Sequence, residues 1–282
     1  MELKLFKTLW GFTGSYQQAI EQTLAAGLHG IEGPMPDTAQ QRAELKSLLK
    51  QNDLEYIGEI TTAGSYVPNR SASLEEHLDS FTAKLIATLE LNPLFINCIG
   101  GCDAWSEMQS LEFFSRAMGI AKQHAVTVSF ETHRSRSMYN PWSTLRFIQV
   151  LPDIKLTCDF SHWCVVCERL IDTEHDIIET LANNAHHIHA RVGYDQGPQV
   201  PHPAAPEYAA CLRAHQSWWE LIWQSQMHRD YAYTTMTPEF GPDGYLHLAP
   251  FTQLPVADLL AVNTWMANVE RRHFNEFCLQ PA

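Results

Sequence analysis

The sequence predicts a closed (β/α)8 barrel, and three observations carry that expectation. Short apolar runs alternate with segments of helical spacing eight times, without a break. A chain of 282 residues is long enough for one such barrel and its helices. No linker, low-complexity stretch or charge block divides it, so residues 1–282 read as one domain.

The elements follow in order. Residues 3–10 form the first strand, and a helix over 15–26 stops at Gly27, a residue free to take the left-handed turn that ends helices. The second strand, 30–32, is short enough to leave a seven-stranded or open sheet as the alternative. Asp37 caps the next helix, with Gln40 completing a capping box. The third strand covers 55–61. Ser73 and Glu76 open a long helix that runs to about Leu91. The fourth strand, 94–99, is followed by Gly100 and Gly101, and Ser106 with Gln109 opens a helix to about His124. After a fifth strand at 126–131, Asn140-Pro141 supplies an N-cap and a proline in the first turn, where a missing N–H costs nothing; that helix runs to Val150. The sixth strand is 154–159, Asp172 starts a helix to about Asn184, and the seventh strand is 186–192. A Pro- and Gly-rich loop over 193–206 reads as a lid or a subunit contact. The helix 207–228 carries Trp218, Trp219 and Trp223, a face that suits either the core or a dimer or tetramer interface. The eighth strand is 233–238, a second long loop spans 241–255, and the last helix covers 256–277.

Net charge is −13, from 19 basic and 32 acidic residues. That argues against a nucleic-acid partner, which needs a basic face, but leaves room for a small anion held by one or two local arginines. No apolar run reaches about 18 residues, so no membrane span is expected. The start of the chain is strand-like and lacks a charged-then-apolar leader, which places the expected location in the cytoplasm. Seven cysteines, odd in number and irregular in spacing, read as reduced thiols. The lone pair Cys164 and Cys167 reads as two small apolar residues in a helical stretch.

In a barrel of this kind the working residues sit at the C-terminal ends of the strands. Those ends carry Glu32, Glu59, Glu131, Asp159, His189 and Glu239. Burying several carboxylates together is costly unless a cation compensates them. Glu131, Asp159, His189 and Glu239 form a mixed oxygen and nitrogen set suited to one divalent ion, Mn²⁺, Co²⁺, Mg²⁺ or Zn²⁺. Such an ion polarises a substrate carbonyl, and Glu131 and Glu239 could then remove and return the proton on the adjacent carbon. The plain alternative is an acidic rim of salt bridges. His162 and Arg191 are candidates to bind substrate oxygens; otherwise Arg191 is an ion-pair partner of Glu131 or Asp159, and His162 a helix-end hydrogen bonder. Glu59 and His133 are further substrate-binding candidates, with Arg134 and Glu32 behind them, and His187 reads as a supporting residue. Trp10, Trp105 and Trp142 could stack on a sugar or fill the core, and His247 could reach in from the last loop.

Four motifs carry a resemblance: Phe130-Glu131-Thr132-His133-Arg134, Cys158-Asp159-Phe160-Ser161-His162, His187-Ile188-His189-Ala190-Arg191 and Thr237-Pro238-Glu239-Phe240-Gly241. With these the chain resembles the xylose isomerase-like TIM barrel superfamily, in its sugar phosphate isomerase/epimerase branch. The resemblance implies a single divalent metal on Glu131, Asp159, His189 and Glu239, the two glutamates as acid and base, and His162 and Arg191 on the substrate. Arg191 stands two residues after the metal histidine, where the ketose epimerases carry their arginine several residues beyond it. The expected activity is therefore isomerisation or epimerisation of a sugar, or of a sugar-derived keto or hydroxy compound, through an enediolate. A lyase or dehydratase acting on a related sugar acid is the alternative. An apurinic endonuclease-like phosphodiesterase and a non-catalytic sugar binder are less favoured.

Overall fold

The computed structural model describes residues 1–279. Eight parallel strands close into a barrel in sequence order: β1 (Glu2–Thr8), β2 (Gly30–Pro34), β3 (Glu55–Thr61), β4 (Phe95–Ile99), β5 (Val128–Glu131), β6 (Lys155–Cys158), β7 (Ala185–His189) and β8 (Tyr233–Thr237). The short β2 is hydrogen-bonded on both sides, to β1 and to β3, and the ring closes where Glu2–Leu5 pair with Tyr233–Met236. The outer ring holds α1 (Tyr16–Ala25), α2 (Ala39–Gln51), α3 (Leu74–Thr88), α4 (Glu107–Gln123), α5 (Pro141–Val150), α6 (Ser161–Val166), α7 (His175–Ala182), α8 (Ala209–His228) and α9 (Leu259–Leu279).

Local chemistry sets most of the helix starts. Ser73 with Glu76, and Ser106 with Gln109, form the expected capping boxes, and Asn140 caps α5 with Pro141 in its first turn. At α2 the cap is Thr38 with Gln41, one residue later than expected, because two cap-forming residues, Asp37 and Thr38, stand side by side there, each with a glutamine three residues on. The helix expected from Asp172 begins instead as a 3-10 turn, Ile171–Glu174, before α7. β7 ends at His189, so Arg191 lies on the loop that follows it. Cys164 falls in α6 and Cys167 at its end, and all seven cysteines are free.

Strand alternation divides each strand between two environments. Phe130, Leu156, Ile188 and Met236 point outward and are buried in the helix-packed core. Phe6, Ile57 and Phe95 form a separate buried cluster that plugs the interior. Above this plug the interior turns polar: Ser129 bonds Thr157 at 2.7 Å and His187 bonds Thr235 at 2.8 Å, and the ring of Phe95 touches that of His187. The polar layer supports the residues at the strand ends.

Trp218, Trp219 and Trp223 are all buried, so the aromatic face of α8 belongs to the core and is not a subunit surface. Trp105 packs on His77 and Phe113, whereas Trp142 stands at the surface beneath Arg169. The 193–206 loop is tied down near its middle. Val200 N–H donates to Val192 O at 2.9 Å, and the buried Gln199 side chain grips both the N–H and the carbonyl of Gly241 on the neighbouring loop. No described helix is long and apolar enough to cross a membrane.

Candidate active site

Four strand ends converge at one mouth. One donor atom each from Glu131, Asp159, His189 and Glu239 lies within 4.8 Å of all the others, and all four residues are buried. His189 Nδ1 sits 3.0 Å from Glu239 Oε2 and 3.7 Å from Glu131 Oε2, yet makes no aligned hydrogen bond to either. Its other nitrogen, Nε2, lies 3.0 Å from Glu32 Oε1. Glu32 reaches across the barrel from β2 and also meets His187 Nε2 at 3.1 Å through its second oxygen. A buried, unbonded imidazole nitrogen aimed at carboxylates, with a carboxylate on its far side, is the arrangement of a metal-ligating histidine. This donor set fits a divalent cation.

The charges are strongly coupled. Burial raises the Glu131 carboxyl, but the facing His189 and the Asn97 side chain, which donates to Oε2 at 2.7 Å, outweigh it and hold it at about 2. Burial disfavours the His189 imidazolium, but Glu239, Glu32 and Glu131 around it push its pKa well above the ordinary value. Burial raises Glu239, with His189 and Arg191 pulling the other way. Glu59 rises well above its usual range through burial and its neighbours Glu239 and Glu131.

Arg191 forms an ion pair with Asp159 Oδ2, which is the plain role weighed for it. It also stands 3.6 Å from Glu239 and donates to His162 Nε2 at 2.7 Å. Because a guanidinium only donates, His162 accepts and is neutral. Burial and the nearby His133 and Arg191 hold the His162 pKa well below normal. Ser161 completes the arrangement, donating to Asp159 Oδ1 at 2.5 Å and accepting from Arg191 Nε.

An open cavity of about 210 Å³ lies over these groups. Glu59, Glu131, His133, Arg191 and Glu239 line it, all residues singled out from the sequence. His162 and Asp159 lie beneath the lining and are fully buried. Trp10 also lines the cavity, its ring 5.3 Å from the Arg191 guanidinium carbon. His247 does not line it; its ring is 6.2 Å from Tyr194, and Tyr245 takes the place foreseen for it.

Sequence reasoning missed the two tyrosines of the cavity wall, Tyr66 and Tyr245, along with Thr61, Ser65 and Ile99. Both tyrosines come from loops that distant residues fix. Buried Arg136 donates to the carbonyls of Thr62, Ser65, Tyr66 and Gly101, and so shapes the loop that carries Tyr66. Tyr245 packs edge-on against Trp10, with centroids 4.9 Å apart. Trp10 in turn lies against Gly241, where an added Cβ would fall 2.1 Å from the indole. Gly241→Ala is therefore expected to displace Trp10 from beside Arg191 and to cost about 1–3 kcal/mol. Thermal unfolding and the fluorescence of the variant would check this; an unchanged Tm and spectrum would show that the wall yields freely.

No protein-family model matches the chain. No curated protein matches it in sequence. Solved structures match its fold along nearly the whole length. D-allulose 3-epimerase from Methylomonas sp., solved with D-allulose, is 12% identical, covers 96% of this chain and 97% of its own, and superposes with a TM-score of 0.65. The probable 3-DHS dehydratase AsbF from Bacillus anthracis is 17% identical over 96% of this chain and 99% of its own, at 0.63. A xylose isomerase-like TIM barrel protein from Mycobacterium smegmatis, solved with magnesium, is 11% identical over 97% of each chain, also at 0.63. At these identities the likeness is one of fold: the chain closes into a (β/α)8 TIM barrel, as these structures do.

Proposed function

We propose that the protein is a divalent-metal-dependent isomerase or epimerase acting on a sugar or a sugar-derived keto or hydroxy compound. The observation that carries this reading is the convergence of Glu131, Asp159, His189 and Glu239, with the unpartnered Nδ1 of His189 among the carboxylates. A bound Mn²⁺, Co²⁺, Mg²⁺ or Zn²⁺ would polarise a substrate carbonyl and stabilise the charge that develops as an enediolate forms. The chain's own residues supply the rest. Glu131 has Oε2 engaged by Asn97, which leaves Oε1 to take the proton from the carbon beside the carbonyl. Glu239 reaches the cavity from β8, three strands further round the barrel, and returns a proton there. Arg191, aligned by His162 and Ser161, donates to a substrate oxygen, while Glu59 and His133 meet its hydroxyls. Trp10 and Tyr245 wall the site and give a sugar two aromatic faces to pack against.

Loss of a β-oxygen after the same proton removal would make the enzyme a dehydratase. The presence of a dehydratase among the fold neighbours keeps that second reading in view. The test is metal content by mass spectrometry. Wild type is expected to carry about one divalent ion per chain, and Asp159→Ala to carry none. Loaded protein is then screened in deuterated water for exchange at the α-carbon, and product mass separates isomerisation from dehydration. If wild type stays empty after being supplied with each of the four ions, the metal reading fails.

A further inference from the structure

We infer that the substrate carries an anionic group, a carboxylate or a phosphate, which Arg134 receives at the cavity rim beside Tyr245. This rests on the reading of the cavity as the substrate site. It starts from how the chain's arginines are used. Arg42, Arg116, Arg146, Arg169 and Arg191 pair with carboxylates. Arg136, Arg229 and Arg271 donate to backbone carbonyls. Arg70, Arg213 and Arg272 are exposed to water. Arg134 alone among the described residues is half-buried with neither a carboxylate nor a carbonyl partner for its guanidinium.

Its position gives that freedom a purpose. His133, the preceding residue, and Tyr245 both line the cavity. The Arg134 guanidinium lies over the Tyr245 ring, 4.7 Å from its centroid, and the Arg191 guanidinium lies 4.8 Å from the same centroid. Two cations thus share one ring. Arg191 is neutralised by Asp159, whereas Arg134 meets only the neutral Tyr245, through its ring and its hydroxyl, and these contacts are weak beside a charge-assisted hydrogen bond to an anion. The planar fork of Arg134 is therefore left to grip a planar carboxylate or a phosphate. The acidic groups on the lining are Glu131 and Glu239, which belong to the metal-ligating set, and Glu59. An anionic substrate would direct its reactive carbons to that set and its charge to the rim.

The experiment uses metal-loaded, full-length protein and calorimetric titration with three probes: 2-keto-D-gluconate, fructose 6-phosphate and neutral fructose. At least one anion is expected to bind about tenfold or more tighter than fructose. Arg134→Gln should erase that preference and leave fructose binding within about twofold, and Arg134→Lys should keep part of it. The source of the charge follows from which anion wins. The inference is overturned if fructose binds as tightly as both anions, or if neither anion binds up to high millimolar concentration. It is equally overturned if Arg134→Gln weakens all three probes alike, because Arg134 would then only pack against Tyr245. Failure here with normal metal uptake removes the anion subsite alone; an empty metal site removes the reading beneath it.

Discussion

Glu239→Gln is expected to lower turnover by about a thousandfold while leaving the barrel folded. Glutamine keeps the length and one carbonyl oxygen at the end of β8, but it can neither give nor take a proton. Three of the four side chains proposed to hold the metal remain, so the variant should still load at saturating metal. The informative measurement is isotope exchange rather than product alone. If Glu131 and Glu239 act as separate acid and base, Glu239→Gln and Glu131→Gln should fail differently: one keeps α-carbon exchange without forming product, and the other loses both. Identical rates of product formation in wild type and Glu239→Gln would remove Glu239 from the chemistry.

The second large effect is expected at Glu32, a residue at the far side of the barrel mouth that has no place in the metal set itself. Burial raises its carboxyl, but His189 and His187 outweigh this and hold it well below the usual range, so it is a buried anion gripping two imidazoles. Its contact with His189 Nε2 fixes the ring so that Nδ1 faces the carboxylates. Glu32→Ala should weaken metal affinity 10- to 100-fold, roughly the effect of losing a partner behind a ligating histidine. It should also cost about 1–3 kcal/mol of stability, because buried His189 Nε2 loses its acceptor and His187 Nε2 keeps only the Thr237 hydroxyl. Chelator competition and thermal unfolding measure the two effects separately. Lower stability with unchanged metal affinity would make Glu32 a packing residue only.

How much of this was legible depended on the range of the physical cause. Ser73, Ser106 and Asn140 announce helix starts because capping acts within four residues. The strand ends were readable because a parallel barrel sends every strand the same way, so Glu131, Asp159 and Glu239 had to emerge at one rim. The partnership of Glu32 with His187 and His189 was not readable, since it spans the barrel interior between strands that are not neighbours. Tyr66 and Tyr245 escaped for a related reason. Their loops follow no periodic pattern and take their shape from Arg136 and Trp10, both far away in sequence. Arg191 was foreseen in both its roles, and only the folded distances show it bonded to Asp159 and turned toward the cavity together.

The seam between β1 and β8 bears on how the protein comes to be made. Glu2–Leu5 complete their hydrogen bonding only with Tyr233–Met236. During synthesis the first strand must therefore wait, with one edge bare, until nearly the whole chain has emerged. Such long-range pairing slows folding, and an unpaired edge recruits strands from other molecules. A chain cut before Tyr233 would leave the edges of both β1 and β7 open. Aggregation of such fragments, rather than a stable half-barrel, is the natural outcome of stalled or clipped synthesis.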